Sequence, residues 1–577
     1  MRTSSQLAQS PLWRIAPDTL NFDQRIALTY ERVKSIVKTY RLTREDLVTV
    51  SPRYWEFQYD CSAGTLVTIH YNLCGGTLSM YAGEREDVAQ VLEKLLSFEL
   101  SGQYCLTELG HGIDVRNMET TATLLPSGEF DLHTPTPAAA KYMPPTAPCG
   151  TPVVSVVFAR LIVNEQDHGI KPFLVYLSDG VRMNPGISCK ILPPRGGSRP
   201  IKHALTYFNH VRLPAEALLG SPDKPTDVRA AFFTTIYRIL VGALSMGALC
   251  LSVMRMSSYI GGQYSLRRKV TDTVTGRPRP IIAFSTQYQP VLTALSQTFV
   301  MEKLANHCHE LFITKTELYE KHFIAAVFKT TISRFAQAIP LILSERCGVQ
   351  GLYEANQLSV LHADIRGAVI AEGDVLAISI REPFRPLCIL GPLLMCLWSG
   401  FAIEVLLGTR VPPKHDDVNS LLSRHEISVI KNLQDNLLST VSSSRDPTIA
   451  GRLLPACQPL LEAIGHRMAY EVAVKAGLDQ EIIDLFLASV IKLDQAWYSE
   501  NAGITRDQQS KMEADAAERL LPRLDEFLEA LNTKEFITAP IASDESWNQF
   551  VDSLETLDHF SHGRSPVSEL ARVSAHL

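Results

Sequence analysis

At 577 residues the chain is longer than one hydrophobic core usually serves, and about three to five structural units are expected. Hydrophobic residues make up 46% of it and charged ones 20%, which excludes a disordered scaffold. Fifty-five Lys and Arg against 61 Asp and Glu leave a net charge of -6 without any long basic run, which excludes the electrostatic footprint of a nucleic-acid binder.

Residues 20 to about 100 read as helices, because apolar positions recur at spacings of three and four. In EDVAQVLEKLLSFEL, Val88, Val91, Leu92, Leu95 and Leu96 share one face. From Thr107 the pattern changes to short β-branched or aromatic runs bounded by Gly, Pro or Asn: TTATLLPSGEFDLHTP around a Pro-Ser-Gly turn, VVSVVFARLIV, PFLVYLSDG and HALTYFNHVRLP. These predict an inserted β-barrel or sandwich domain. After Gly220-Ser221-Pro222, the proline-free stretch from Asp227 to Leu266 predicts one long helix. Further helices follow in QPVLTALSQTFVMEKLANHCHELF and KHFIAAVFKTTISRFAQAI, completing a bundle. A last helical block runs from about Leu421 to Leu531.

The fold class is therefore mainly α with an inserted β-barrel domain. The domains are drawn as 1-105 (N-terminal helical), 106-222 (central β), 223-412 (helical bundle) and 413-577 (C-terminal helical). Two apolar stretches, Ile239 to Met254 and Pro386 to Ile403, are short for a membrane span, and buried bundle helices are the preferred reading. The eleven cysteines are scattered singly, with no CxxC pair and no Cys/His cluster at zinc spacing, so no metal site and a reduced intracellular compartment are expected. The first residues lack the apolar h-region of a secretory signal. The last three, Ala575, His576 and Leu577, have the shape of the SKL-type peroxisomal address, which would make an import receptor a partner.

Three further features carry chemistry. Thr107-Glu108-Leu109-Gly110-His111-Gly112 stands where the helices hand over to the β region, and its two glycines permit close backbone approach to a ligand or simply make a turn. Arg267-Arg268 is either a phosphate-binding pair or a solvated helix end that complements the dipole. Glu372, flanked by Ala368 to Ala371 and by Val375 to Ile378, is either a carboxylate in an apolar pocket or a loop Glu capping the next helix. Asp374 is the competing carboxylate.

The run TELGHG, with METTATLLPSGEFDLHTPTPAAAK after it, resembles the acyl-CoA oxidases and the wider acyl-CoA dehydrogenase family. So do the segments PFLVYLSDG, HALTYFNHVRLP, Tyr264 to Arg268, Phe284 to Gln287 and Cys347 to Tyr353. Among these the chain looks most similar to fungal acyl-CoA dehydrogenase-like enzymes of secondary metabolism, of the AF-toxin biosynthesis type. The resemblance implies a flavin, FAD, between β domain and bundle. Thr107 would meet the isoalloxazine ring, with Gly110 and Gly112 allowing approach. Arg267, Arg268 and Gln287 would meet the diphosphate and adenosine, commonly from the neighbouring subunit of a homodimer. Glu372 would be the base that removes the Cα proton of an acyl-CoA substrate while hydride leaves Cβ. Departures are Tyr142-Met143-Pro144-Pro145-Thr146 in place of Trp-Pro-Gly-Gly, Val375 in place of an Asn, and a proline-broken Arg381 to Trp398. They leave open a non-catalytic acyl-CoA-binding or scaffolding member of the family.

Overall fold

The computed structural model describes residues 3–51, 59–112, 114–380, 401–406, 408, 410–438 and 447–557. Arg381 to Trp398 and the C-terminal Ala575-His576-Leu577 lie outside the described residues.

The N-terminal region is helical for local reasons that are visible in its caps. Phe22–Tyr40 starts at a capping box in which Asn21 and Gln24 exchange hydrogen bonds, and ends at Arg41 in the left-handed region. Glu86–Leu96 buries Val88, Val91, Leu92 and Leu95, with Leu96 at the margin of that face. Between them Asp60 caps Cys61–Val67 by accepting from the amides of Ser62 and Ala63, and the helix then widens into a π-helix, Thr68–Gly75. Such widened turns are uncommon and often mark functional positions.

The chain next forms nine strands: β1 Ser101–Cys105, β2 Thr121–Leu124, β3 Phe130–His133, β4 Lys141–Tyr142, β5 Val153–Val163, β6 Gln166–Ser178, β7 Ile187–Ile191, β8 Ala204–Phe208 and β9 Val211–Leu213. One sheet runs β1-β5-β2-β3-β9 with β6 on β5, and a second runs β4-β8-β7. β1 and β2 both lie parallel to β5, in register Ser101↔Val153 and Thr121↔Arg160, while β2 and β3 are the hairpin expected around Pro-Ser-Gly. Because side chains alternate along a strand, β5 serves two cores. Val154, Val156 and Phe158 pack with the N-terminal helices, and Val153, Val157, Ala159 and Leu161 pack with Phe130, Phe173 and Phe208 inside the β region. β1 is thus fused to the helical layer on one side and to the sheet on the other.

The single helix expected over 227–266 is instead two, Val228–Thr235 and Arg238–Arg267, with the break at Ile236. The two halves answer to different cores. Phe232 and Ile236 belong to the N-terminal cluster, whereas from Val241 onward the side chains join the bundle cluster. The Arg238–Arg267 helix packs with Ser285–Thr314, Leu318–Arg346 and Leu358–Ile370. By length and composition it is apolar enough to cross a membrane, but 78% of its apolar window is buried inside the protein. Helices Pro447–Lys475, Gln480–Ile491 and Leu524–Ala530 contribute Leu460, Ile464, Phe486 and Leu528 to the same cluster, so bundle and C-terminal helices share one core.

Candidate active site

Glu372 sits in the turn between Leu358–Ile370 and Val375–Ile380, in the left-handed region at φ 55°, followed by Gly373 at φ 95°. The capping role considered for Glu372 belongs instead to Asp374, whose Oδ1 accepts from the amides of Leu376 (3.0 Å) and Ala377 (3.1 Å). Glu372 is thereby released from the helix end. It is partly exposed as a residue, but its carboxylate points inward against Gly242 of the Arg238–Arg267 helix: a β-carbon on Gly242 would stand 1.1 Å from Glu372 Oε2.

Two polar side chains flank that carboxylate. Asn72, on the π-helix, donates from Nδ2 to the Arg238 carbonyl at 3.0 Å and to Glu372 Oε2 at 3.4 Å. Its Oδ1 is buried with no hydrogen-bond partner among the described residues. Arg238 is buried and turns back to the N-terminal region, donating from Nε to the Asn72 carbonyl and from a terminal nitrogen to that of Leu47. Gly76 makes room for it, since a β-carbon there would lie 2.2 Å from Nε. Behind the turn, the fully buried Lys329 donates to the carbonyls of Ala371 and Gly373. Burial pushes the Glu372 carboxyl up to about 8, against the opposing charges of Lys329 and Arg238 and the Asn72 hydrogen bond. Tyr104, at the end of β1, buries a hydroxyl with no partner among the described residues. Burial first, and the Glu372 charge second, raise its pKa.

The TELGHG segment continues from β1. Its buried Glu108 pairs with the buried Lys141 at 3.0 Å and accepts from the amides of Glu119 (2.7 Å) and Thr120 (2.9 Å). Burial alone would raise the Glu108 pKa, but Lys141 and these donors outweigh it, and the carboxyl lies below its ordinary value. Leu109 and Gly110 donate to the carbonyls of Ala140 and Ala138, and a β-carbon on Gly110 would meet that of Ala138 at 2.8 Å. Gly110 is therefore required by the chain's own packing. Gly112 faces open space, and Thr107 is half-buried. The Tyr142 to Thr146 segment is bonded to this motif, with the Tyr142 amide donating to the Thr107 carbonyl at 2.9 Å, and Met143 takes φ 84°. Half-buried Thr107, open Gly112 and the orphaned polar atoms of Tyr104 and Asn72 fit the ring end of a flavin and a polar reacting group next to Glu372.

No family model matches the chain. Peroxisomal acyl-coenzyme A oxidase 3 of Homo sapiens is 25% identical over 410 residues, covering 64% of this chain and 57% of the human one. Peroxisomal acyl-coenzyme A oxidase 1 of Arabidopsis thaliana is 28% identical over 331 residues, 52% of this chain and 48% of the plant one. The chain spans about half the length of the curated relatives it matches. Among solved structures, acyl-CoA oxidase 1 of Yarrowia lipolytica superposes with a TM-score of 0.78 at 18% identity, covering 100% of this chain and 92% of that one. The chain has the acyl-CoA oxidase fold. Acyl-CoA oxidase-1 of Caenorhabditis elegans, complexed with FAD and ATP, gives 0.79 at 15% identity, with 100% of this chain and 93% of that one covered.

Within this acyl-CoA oxidase fold one chain does not gather all the residues singled out in the sequence. Arg267 and Gly242 stand 25 residues apart on one helix, which at about 1.5 Å per residue separates them by about 37 Å. Gln287 is buried at that far end, donating to Ser265 Oγ at 2.8 Å and to the Arg346 carbonyl at 3.1 Å. Arg267 pairs with Asp544 at 2.9 Å and lies over the Trp547 ring, while Arg268 is exposed. Glu372 thus belongs to the Gly242 end of that helix, and Arg267, Arg268 and Gln287 to the other.

Sequence reasoning missed Asn72, Arg238, Gly242, Lys329 and the Glu108–Lys141 pair. Their signal was a polar or small residue inside an apolar run, as in HYNLCGG, ILVGALSMG and IAAVFKTTI. Nothing local separates such residues from satisfied core polar groups.

Proposed function

We propose that the protein catalyses FAD-dependent α,β-dehydrogenation of an acyl-CoA thioester to the trans-2-enoyl-CoA. The observation that carries this reading is the Glu372 carboxylate, held off the helix end by Asp374, buried against Gly242 and raised to about 8, which suits removal of a weakly acidic Cα proton. Glu372 takes the proton. Asn72 holds the carboxylate from the side, and Asn72 and Tyr104 offer polar atoms to the thioester end. Thr107 and Gly112 would hold the isoalloxazine ring, and FAD, when bound, supplies the acceptor for the hydride leaving Cβ. Arg268, with Arg267 and Gln287, would reach the diphosphate and adenosine of a second copy's flavin, making the active unit a homodimer.

The relatives bear the name peroxisomal, and with Ala575-His576-Leu577 this supports import into peroxisomes. The specialised, toxin-type secondary pathway rests on the sequence resemblance alone. Anaerobic titration with butanoyl-, octanoyl- and palmitoyl-CoA should bleach the flavin, and admitting oxygen should release hydrogen peroxide if the protein is an oxidase. Glu372→Gln should bind FAD yet show no bleaching. A chain that takes up no FAD, or an E372Q variant with full turnover, would overturn the reading.

A further inference from the structure

Lys329 is an ammonium beside the Glu372 turn, and the reaction proposed above does not use it. It is fully buried on the Leu318–Arg346 helix, where an unpaired charge would be costly. Its partners are the carbonyls on either side of Glu372 in the chain, that of Ala371 and that of Gly373 at 2.6 Å. Both carbonyls reach one cation because Glu372 and Gly373 adopt positive φ in succession. A non-glycine residue in that region costs roughly 1 kcal/mol or more, so something must hold the turn there.

We infer that Lys329 is a positioning residue, whose ammonium clamps the turn that carries Glu372. The inference rests on the reading of Glu372 as the base. The groups that face Glu372 are Lys329 from one helix, Arg238 from another, Asn72 from the π-helix and Tyr104 from β1. Those that face Lys329 are Glu372, Asp374 and Cys250. Burial lowers the Lys329 pKa to about 8, with the two acids and Cys250 opposing, so the clamp is charged at neutral pH and weakens in alkali.

The test uses full-length FAD-loaded chain, with Lys329→Met and Lys329→Arg, and follows flavin reduction by the fastest of butanoyl-, octanoyl- and palmitoyl-CoA across pH. Loss of the charge in K329M should move the acid limb of kcat/KM up by about one pH unit or more, since an opposite charge at this range shifts a carboxyl by about that much. K329R should leave the limb near its original position while lowering kcat. Hydrogen exchange of the flavin-free chain provides a second readout, with the amides of residues 372–374 exchanging faster in K329M. A folded K329M with an unmoved limb and unaltered exchange overturns the inference. Should K329M fail to fold, a K329R limb displaced by a full unit does so. If wild-type chain reduces no flavin, the base reading falls, and exchange at the turn still decides the clamp.

Discussion

The carboxylate of Glu372 occupies the space that a side chain on Gly242 would need, with Oε2 1.1 Å from where a β-carbon would stand. In an exposed helix interior Gly→Ala usually stabilises by about 1 kcal/mol. Gly242→Ala should instead push the carboxylate aside. Displacement of a reacting group by about 1 Å costs on the order of 100-fold in rate, so kcat should fall by about that factor while FAD stays bound. Stopped-flow bleaching alongside an absorbance titration of FAD checks both halves of the expectation.

The elevated Glu372 pKa fixes the direction of the pH profile. The base works ionised, so kcat/KM should rise with a slope of about one on a logarithmic scale and level off above about pH 8. Stability runs the other way. A carboxyl whose folded value exceeds its unfolded one contributes stability that is complete below the unfolded value and is lost as pH rises through about 8. E372Q should therefore lose activity throughout, and its thermal transition should decline less than that of wild type as pH rises from about 4.5 to about 8.

Much of this arrangement was legible in the sequence. Periodicity located the helices, the Pro-Ser-Gly turn gave the β2–β3 hairpin, and the resemblance to the acyl-CoA oxidases singled out Glu372, which its apolar flanks alone left open as a helix cap. The break at Ile236 was not legible, because no proline or glycine marks it; the helix divides where its burial passes from one core to another. Asn72 and Lys329 lie 300 and 43 residues from Glu372, and only tertiary packing brings them together. That Asp374, and not Glu372, caps the following helix is a matter of backbone geometry that composition does not record.

The Glu108–Lys141 pair should be a keystone of the flavin-side loop. Both side chains are 0% exposed, and removing one partner strands a buried charge. Lys141→Met should cost about 3 to 5 kcal/mol, and Glu108→Leu a comparable amount. The double variant should cost less than the sum, because each change also removes the charge that the other strands. Denaturant titrations of the four flavin-free proteins give the coupling directly.

Removing either neighbouring arginine should weaken FAD binding, but only the loss of Arg267 should also cost stability. Arg267→Ala removes a pair with the exposed Asp544, a hydrogen bond to the Ile541 carbonyl and the contact with Trp547, and should lower stability by about 1 to 2 kcal/mol. Arg268 is exposed at the helix end, so Arg268→Ala should leave the flavin-free thermal transition unchanged and weaken FAD binding tenfold or more. Flavin retention on gel filtration compared with melting curves distinguishes them. Equal FAD affinity in R268A would remove Arg268 from the flavin site.

His70 gives the fold an acid-sensitive joint. Its Nε2 lies 2.9 Å from the Leu95 carbonyl, and its Nδ1 accepts from the Gly102 amide at 2.9 Å. An imidazole doing both is neutral with the proton on Nε2, and protonation would set Nδ1–H against an N–H donor. Burial accordingly lowers its pKa to about 4, with the Leu95 hydrogen bond opposing. Because the folded value lies below the unfolded one, the neutral ring's contribution is complete above about pH 6.5 and is lost as pH falls towards 4. His70→Leu leaves Leu95 O and Gly102 N–H without partners and should cost about 2 to 4 kcal/mol at neutral pH. The gap in thermal transition between wild type and H70L should then narrow steadily between neutral pH and pH 4, since only wild type pays the protonation penalty at residue 70. Other buried histidines, His466 among them, titrate in both proteins and cancel. His70 precedes Asn72 by two residues on the same π-helix, so flavin reduction should weaken over the same acid range by more than the Glu372 limb accounts for. A gap that stays constant with pH would show that His70 does not titrate there.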